Sequence, residues 1–181
     1  YQSTHCGHRE VTSTEFNLAQ RQCNAKPTVG GFEGSVVKTE LQARDGFVLA
    51  PALALTFNST LQKITSAVFT IETTVDKMDA TRLAPADAAE DVFTCTEAHG
   101  LVSTGTTSTF TIAGAGTAQQ YQEVLQTVRL SHAGHLMNAK TLNKTVSLAL
   151  AHDNFEGLEL VTTGVPLQLN ISSTNTAPFI T

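Results

Sequence analysis

The chain has 181 residues, enough for one domain that buries about 70% of its unfolded surface, so neither a metal nor a disulfide is obligatory for folding. Only 15% of residues are charged against the roughly 25% of an ordinary soluble domain, which argues against a coiled coil or a long disordered region. Eleven Lys and Arg face sixteen Asp and Glu, a net charge of −5 with no basic block; phosphate neutralisation, and with it nucleic-acid binding, is disfavoured.

In chain order, residues 1–31 form a polar arm with two of the three cysteines and only scattered apolar positions (Val11, Phe16, Leu18). From Phe32 onward the dominant signal is period-two alternation rich in Thr and Val, which predicts strands. The expected strands are Ser35–Thr39, Val48–Phe57, Ala67–Thr74, Asp91–Thr96, Leu101–Thr104, Thr109–Ile112, Val128–Ser131, Thr145–His152, Leu158–Val161 and Val165–Ile171. Turns are expected at Asp45-Gly46 and Gly114-Ala115-Gly116, and Pro85 marks an irregular excursion. One segment departs from this pattern. Tyr121, Val124, Leu125 and Val128 fall at i, i+3, i+4 and i+7, and Thr117 with Gln120 has capping-box spacing, so one short helix bridging two sheets is expected. No apolar run approaches the ~20 residues that span a bilayer.

Three N-glycosylation sequons begin at Asn58, Asn143 and Asn170. Leu53, Leu55 and Phe57 share one parity and Asn58 the other; the same holds for Asn143 against Val146, Leu148 and Leu150, and for Asn170 against Val165, Leu167 and Leu169. Alternate strand residues point to opposite faces, so all three Asn are expected to face water as glycan acceptors. With Tyr1 in place of an initiator Met and no signal sequence following it, the chain reads as a processed or excised one from a secreted or cell-surface protein. Its three cysteines allow at most one internal disulfide. Pairing Cys6 with Cys23 closes a short loop for about 3 kcal/mol. Cys95 is then either a buried thiol or a partner for the arm or another chain, and the sequence leaves that choice open.

Taken together, Phe32-Glu33-Gly34, Leu49-Ala50-Pro51-Ala52-Leu53, Asp91-Val92, the run Tyr121 to Val128, Val146 to His152-Asp153, and Asn175-Thr176-Ala177-Pro178 form an ordered series. The series resembles the cadherin-like or immunoglobulin-like repeats of large extracellular and adhesin proteins over about residues 24–181. In those repeats an E-G pair opens the module, a Y-x-x-x-L-x-x-V helix leads into a late strand, and N-x-A-P closes it. The resemblance implies an all-β sandwich with one short helix and an extended N-terminal arm. The division is residues 1–31 as arm or linker, 32–174 as the module and 175–181 as the strand of a next repeat or one donated to a neighbour. The dense Asp runs that bind calcium between many such modules are absent from this chain.

An internal similarity adds to this. Asn24-Ala25-Lys26-Pro27-Thr28-Val29 resembles Asn175-Thr176-Ala177-Pro178-Phe179-Ile180, with the two prolines 151 positions apart (178 minus 27). Ala177, Pro178, Phe179, Ile180 and Thr181 thus read as an opening strand that joins another copy or an adjacent repeat. The functional expectation is a structural subunit of an extracellular glycoprotein fibre or array, assembling head to tail. The second reading is an adhesion-receptor module that recognises protein or carbohydrate, with or without calcium.

Chemistry-bearing clusters are few. His5, Cys6 and His8 lie too close along the chain for a conventional zinc site, and His132 with His135 forms a second close pair in an expected turn. His152, Asp153, Asn154 and Glu156 offer oxygen-rich ligands suited to calcium, but an Asx turn explains them equally well. No nucleophile elbow, zincin motif or P-loop occurs, so neither an enzyme nor a cofactor is expected.

Overall fold

The computed structural model describes residues 2–4, 7–9, 26–57, 62–74, 91–134, 141–153, 160–163 and 166–173. Fourteen strands and two helices are assigned among them, giving an all-β fold with minor helical content. The strands are β1 (Gln2–Thr4), β2 (Gly7–Arg9), β3 (Thr28–Gly30), β4 (Gly34–Thr39), β5 (Phe47–Val48), β6 (Ala54–Thr56), β7 (Ile64–Thr74), β8 (Asp91–Thr94), β9 (Val102–Gly105), β10 (Thr109–Gly116), β11 (Arg129–His132), β12 (Thr141–His152), β13 (Leu160–Thr163) and β14 (Leu167–Ser172). Helix α1 spans Glu40–Asp45 and α2 spans Ala118–Leu125.

Seven strands form the main sheet, in the order β4-β14-β12-β7-β10-β9, with β13 pairing β12. The long strand β12 is its spine. One edge pairs with β7 from Asn143 to His152, while the other pairs first with β14 and then with β13. All these pairings are antiparallel except that of β14 with β4. A second sheet has the order β5-β11-β8, and β3-β6 and β1-β2 are separate two-stranded pairs.

Alternation sets which side chains enter the core. Along β12, Leu142, Val146, Leu148 and Leu150 are buried, as are Phe69 and Ile71 on β7 and Leu167, Leu169 and Ile171 on β14. Phe93 carries the second sheet onto the first. Its ring stacks on Phe69 at 6.2 Å and on Phe110 at 5.5 Å between centroids, and Phe32 meets Phe69 edge-on at 5.7 Å. Such offset and T-shaped pairs contribute about 0.5–1.5 kcal/mol each beyond their buried area.

Helix α2 has the expected capping box, with Thr117 Oγ1 accepting from Gln120 N and Gln120 Oε1 from Thr117 N. Its expected face is buried: Tyr121, Val124 and Leu125, with Val128 just beyond. Two glutamines, Gln122 on this helix and Gln126 at its C-cap, fasten the chain beside it. Gln122 Oε1 accepts from Leu55 N at 2.8 Å, and Gln126 Nε2 donates to Leu53 O at 2.7 Å.

Three expectations are corrected, the first being the turn at Gly114-Ala115-Gly116, which is the end of β10, where its pairing with β7 shifts register between Ala113 and Gly116. The fold has a second helix, α1, which follows a capping box between Thr39 and Gln42 and stops at Gly46 with φ +76°. It has one buried apolar residue, Ala43, so no apolar stripe announced it. The single strand expected over Val48–Phe57 is two strands, β5 and β6, with a turn at Pro51-Ala52. Proline has no N–H for a ladder, and Leu49 N and Leu53 N donate instead to Val128 O and Ala50 O. Gly31 (φ +68°) fits beside this turn, where an added Cβ would overlap the Ala52 carbonyl.

Because Phe93 is the aromatic bridge between the two sheets, Phe93→Ala is expected to destabilise the chain by about 3–5 kcal/mol. Urea denaturation of the variant and the parent chain measures this.

Candidate functional site

Of the buried charged or titratable side chains, three meet in the core: Asp91, His132 and Lys144. On β8 the inward parity belongs to Asp91 and Phe93, while Val92 between them is 52% exposed. On β11 it belongs to Leu130 and His132. On β12 it belongs to Leu142, Lys144 and Val146. Asp91, His132 and Lys144 are exposed by only 2%, 1% and 0%.

The ladders bring them together. Asp91 and His132 are direct cross-strand partners on β8 and β11. Lys144 stands opposite Thr73 of β7 in the main sheet. Lys144 Nζ lies 2.6 Å from Asp91 Oδ2 and donates to Thr73 Oγ1 at 3.2 Å. His132 Nδ1 lies 2.9 Å from Asp91 Oδ1. A carboxylate only accepts, so Nδ1 carries the proton in that bond. The far ring nitrogen, Nε2, is buried and finds no hydrogen-bond partner among the described residues.

The Asp91 carboxylate is thus held at both oxygens, from the histidine of its own sheet and from the lysine of the other. An unpaired charge in such a place costs many kcal/mol, so the pair acts as a register device that ties β8 to β12. All three groups are closed to solvent among the described residues.

The other expected site residues lie apart from this cluster. Asn143 is exposed on the outer face of β12 and Asn170 is partly exposed on β14, as parity predicted. They are direct cross-strand partners, so their Cβ atoms lie about 4.5–5.5 Å apart. Asn170 Nδ2 also donates to Ser35 Oγ at 3.2 Å. Asn58, Cys6, Cys23 and Ala177, Pro178, Phe179, Ile180 and Thr181 lie outside the described residues.

The expected pairing of His132 with His135 is corrected in part. His132 ends a strand instead of lying in a turn, and its partner is Asp91; His135 lies outside the described residues. Of His5, Cys6 and His8, only the backbone of His8 is described. His152 is buried, with Nδ1 3.0 Å from Asp153 O and its ring edge-on to Phe57. Asp153 Oδ1 accepts from Lys63 N at 2.5 Å, and its backbone N donates to Lys63 O at 3.1 Å. That carboxylate fastens the start of β7; Asn154 and Glu156 lie outside the described residues. Among the described residues no group of three or more His, Cys, Asp or Glu is arranged to hold a metal. None of their helices is long and apolar enough to cross a membrane.

Cys95 follows β8, half-buried with a free thiol. Burial pushes its pKa up, opposed by a hydrogen bond with Ser103 and assisted by the charge of Glu97. Glu97 accepts from both the backbone N and the hydroxyl of Ser103, which hold its own carboxyl below the usual range.

Comparison with known proteins finds no matching family model, no matching curated protein and no matching solved structure.

Two outcomes follow from this geometry. Lys144→Met is expected to cost about 3–5 kcal/mol, because Asp91 stays buried without its cation; Asp91→Leu with Lys144→Met should cost less than the two single changes together. A double-mutant cycle in urea reads this coupling. At pH 8 the raised thiol pKa leaves less thiolate, so peptide-resolved iodoacetamide labelling of Cys95 should be slower in the folded chain than in urea. The labelling rate of the folded chain should keep rising above about pH 8.5, the ordinary thiol midpoint.

Proposed function

We propose that the chain is a cadherin-like or immunoglobulin-like β-sandwich module of an extracellular glycoprotein, joined head to tail with other copies into a fibre or array. The observation that carries this reading is the pairing of β3. Residues Thr28–Gly30 run antiparallel to Ala54–Thr56, with Val29 opposite Leu55. They follow Asn24 to Pro27, the segment that Asn175 to Pro178 resembles. At the same offset, Phe179, Ile180 and Thr181 correspond to Thr28, Val29 and Gly30. In an array, the tail of one copy takes the place of β3 beside β6 in the next, exchanging with that copy's own β3, and backbone hydrogen bonds supply the contact.

The outer face suits an extracellular glycoprotein. Thr145, Ser147, Gln168, Asn143 and Asn170 stand on the outward parity of β12 and β14, so hydroxyls, amides and sugars hydrate a surface with few charges. Because Asn143 and Asn170 are cross-strand neighbours, a glycan on one crowds the other, and single occupancy of the pair is expected to predominate.

Deletion of Ala177–Thr181 is expected to leave a folded monomer that forms no filaments. Negative-stain microscopy of the full and shortened chains, with circular dichroism to confirm folding, tests this. Filaments formed equally by both chains would remove the terminal strand from the assembly, and a full chain that stays monomeric would overturn head-to-tail joining.

A further inference from the structure

The buried cluster holds an amine against a carboxyl group in a setting that favours their reaction, and this is independent of how copies assemble. We propose that Lys144 and Asp91 condense into an intramolecular amide that covalently joins β12 to β8, with His132 assisting. Three observations carry it. Lys144 Nζ and Asp91 Oδ2 are 2.6 Å apart. Both side chains are at most 2% exposed, so bulk water for hydrolysis has little access. His132 Nδ1, at 2.9 Å, is placed on the opposite carboxylate oxygen.

The step balances as follows. A proton passes from the Nζ ammonium to Oδ2 across the short contact, giving a neutral amine and a carboxylic acid. The Nζ lone pair attacks Cγ, the N–C bond forms, and the carbonyl electrons move to Oδ1. His132 Nδ1–H donates to that oxyanion and keeps its proton. The intermediate then collapses with cleavage of the Cγ–Oδ2 bond, and Oδ2 departs as water with the proton from the first transfer and a second proton from Nζ. No oxidant, metal or other reactant is needed. Thr73 Oγ1, which accepts from Nζ, holds the amine in line during approach.

The cluster's layout suits this chemistry as well as it suits a charge pair. A pair needs only opposite charges, whereas here a donor is aimed at the oxygen that becomes the oxyanion, as in sites that stabilise acyl-transfer intermediates. The two residues are 53 positions apart and belong to different sheets, so the amide would close a long loop through the centre of the core. A bond placed there resists separation of the sheets under load.

The experiment is mass spectrometry of the chain produced in bacteria, without glycans, reduced and denatured. The expected mass is about 18 Da, one water, below that of the sequence. Trypsin should fail to cut after Lys144, and fragmentation should show the Asp91 and Lys144 peptides joined. Lys144→Arg keeps a cation in place and is expected at full mass. His132→Leu is expected to slow the mass loss, followed from the time of synthesis, about 100-fold, with His132→Asn, whose side-chain N–H takes the place of Nδ1, recovering part of the rate. A parent chain at full mass with the two peptides recovered separately overturns the proposal, as does a loss of water that persists in Lys144→Arg. An unchanged rate in His132→Leu would remove the histidine from the step. Should Lys144→Arg fail to fold, the presence or absence of the joined peptide in the parent chain still decides.

Discussion

The contact between Lys144 and Asp91 is the constraint on which the arrangement of the two sheets depends. Each charge is buried, and neither is tolerable in the core without the other. Sliding β8 or β12 by one residue would turn Asp91 or Lys144 to the opposite face and strand its partner. Hydrophobic residues can repack after a small slip, but a buried ion pair cannot. The pairings of Asp91 with His132 and of Lys144 with Thr73 are therefore specified more sharply than apolar alternation alone would require.

Around this contact the aromatic residues supply area and the glutamines supply fastening. Phe93 lies two residues after Asp91 on the same face, so the ion pair and the ring stack are set by one strand. From Phe93 the contacts run through Phe69 to Phe32 and through Phe110 into β10. Helix α2 closes the side where β6 would otherwise leave backbone groups unpaired, and Gln122 and Gln126 reach the Leu53–Leu55 segment. Buried Tyr121 completes that corner by donating to Gly114 O at 2.6 Å, and burial pushes its pKa up. Charge is thus scarce in this chain, and part of what exists is spent inside.

The inner and outer faces of β12 serve separate ends in the proposed reading. Inward, Lys144 joins the sheets; one residue earlier, Asn143 faces out beside Asn170. Strand alternation allows a glycan acceptor and an internal clasp to be adjacent in sequence without interfering, because a pleated strand sends neighbours to opposite sides. An extended array that bears load would draw on both features, hydration outside and resistance to shear inside.

The β character, the inward sets of β12 and β14, the outward face of Asn143 and the buried stripe and capping box of α2 were all legible in the sequence. These are periodic or local properties, set by residues within one strand or one turn. The division of Val48–Phe57 was also within reach, since Pro51 interrupts it; six-residue α1, with one buried apolar position, left little periodicity to detect. The signal for the site was present as well: Asp91, His132 and Lys144 each take an inward position otherwise held by Phe93, Leu130, Leu142 and Val146. Alternation shows that each of these three is out of place for a charged or titratable residue, and nothing more. That they meet, with a carboxylate held at both oxygens, depends on side chains from strands of different sheets being brought into contact. Only the tertiary structure decides this, because the distance between residues 53 positions apart is fixed by packing and not by the local chain.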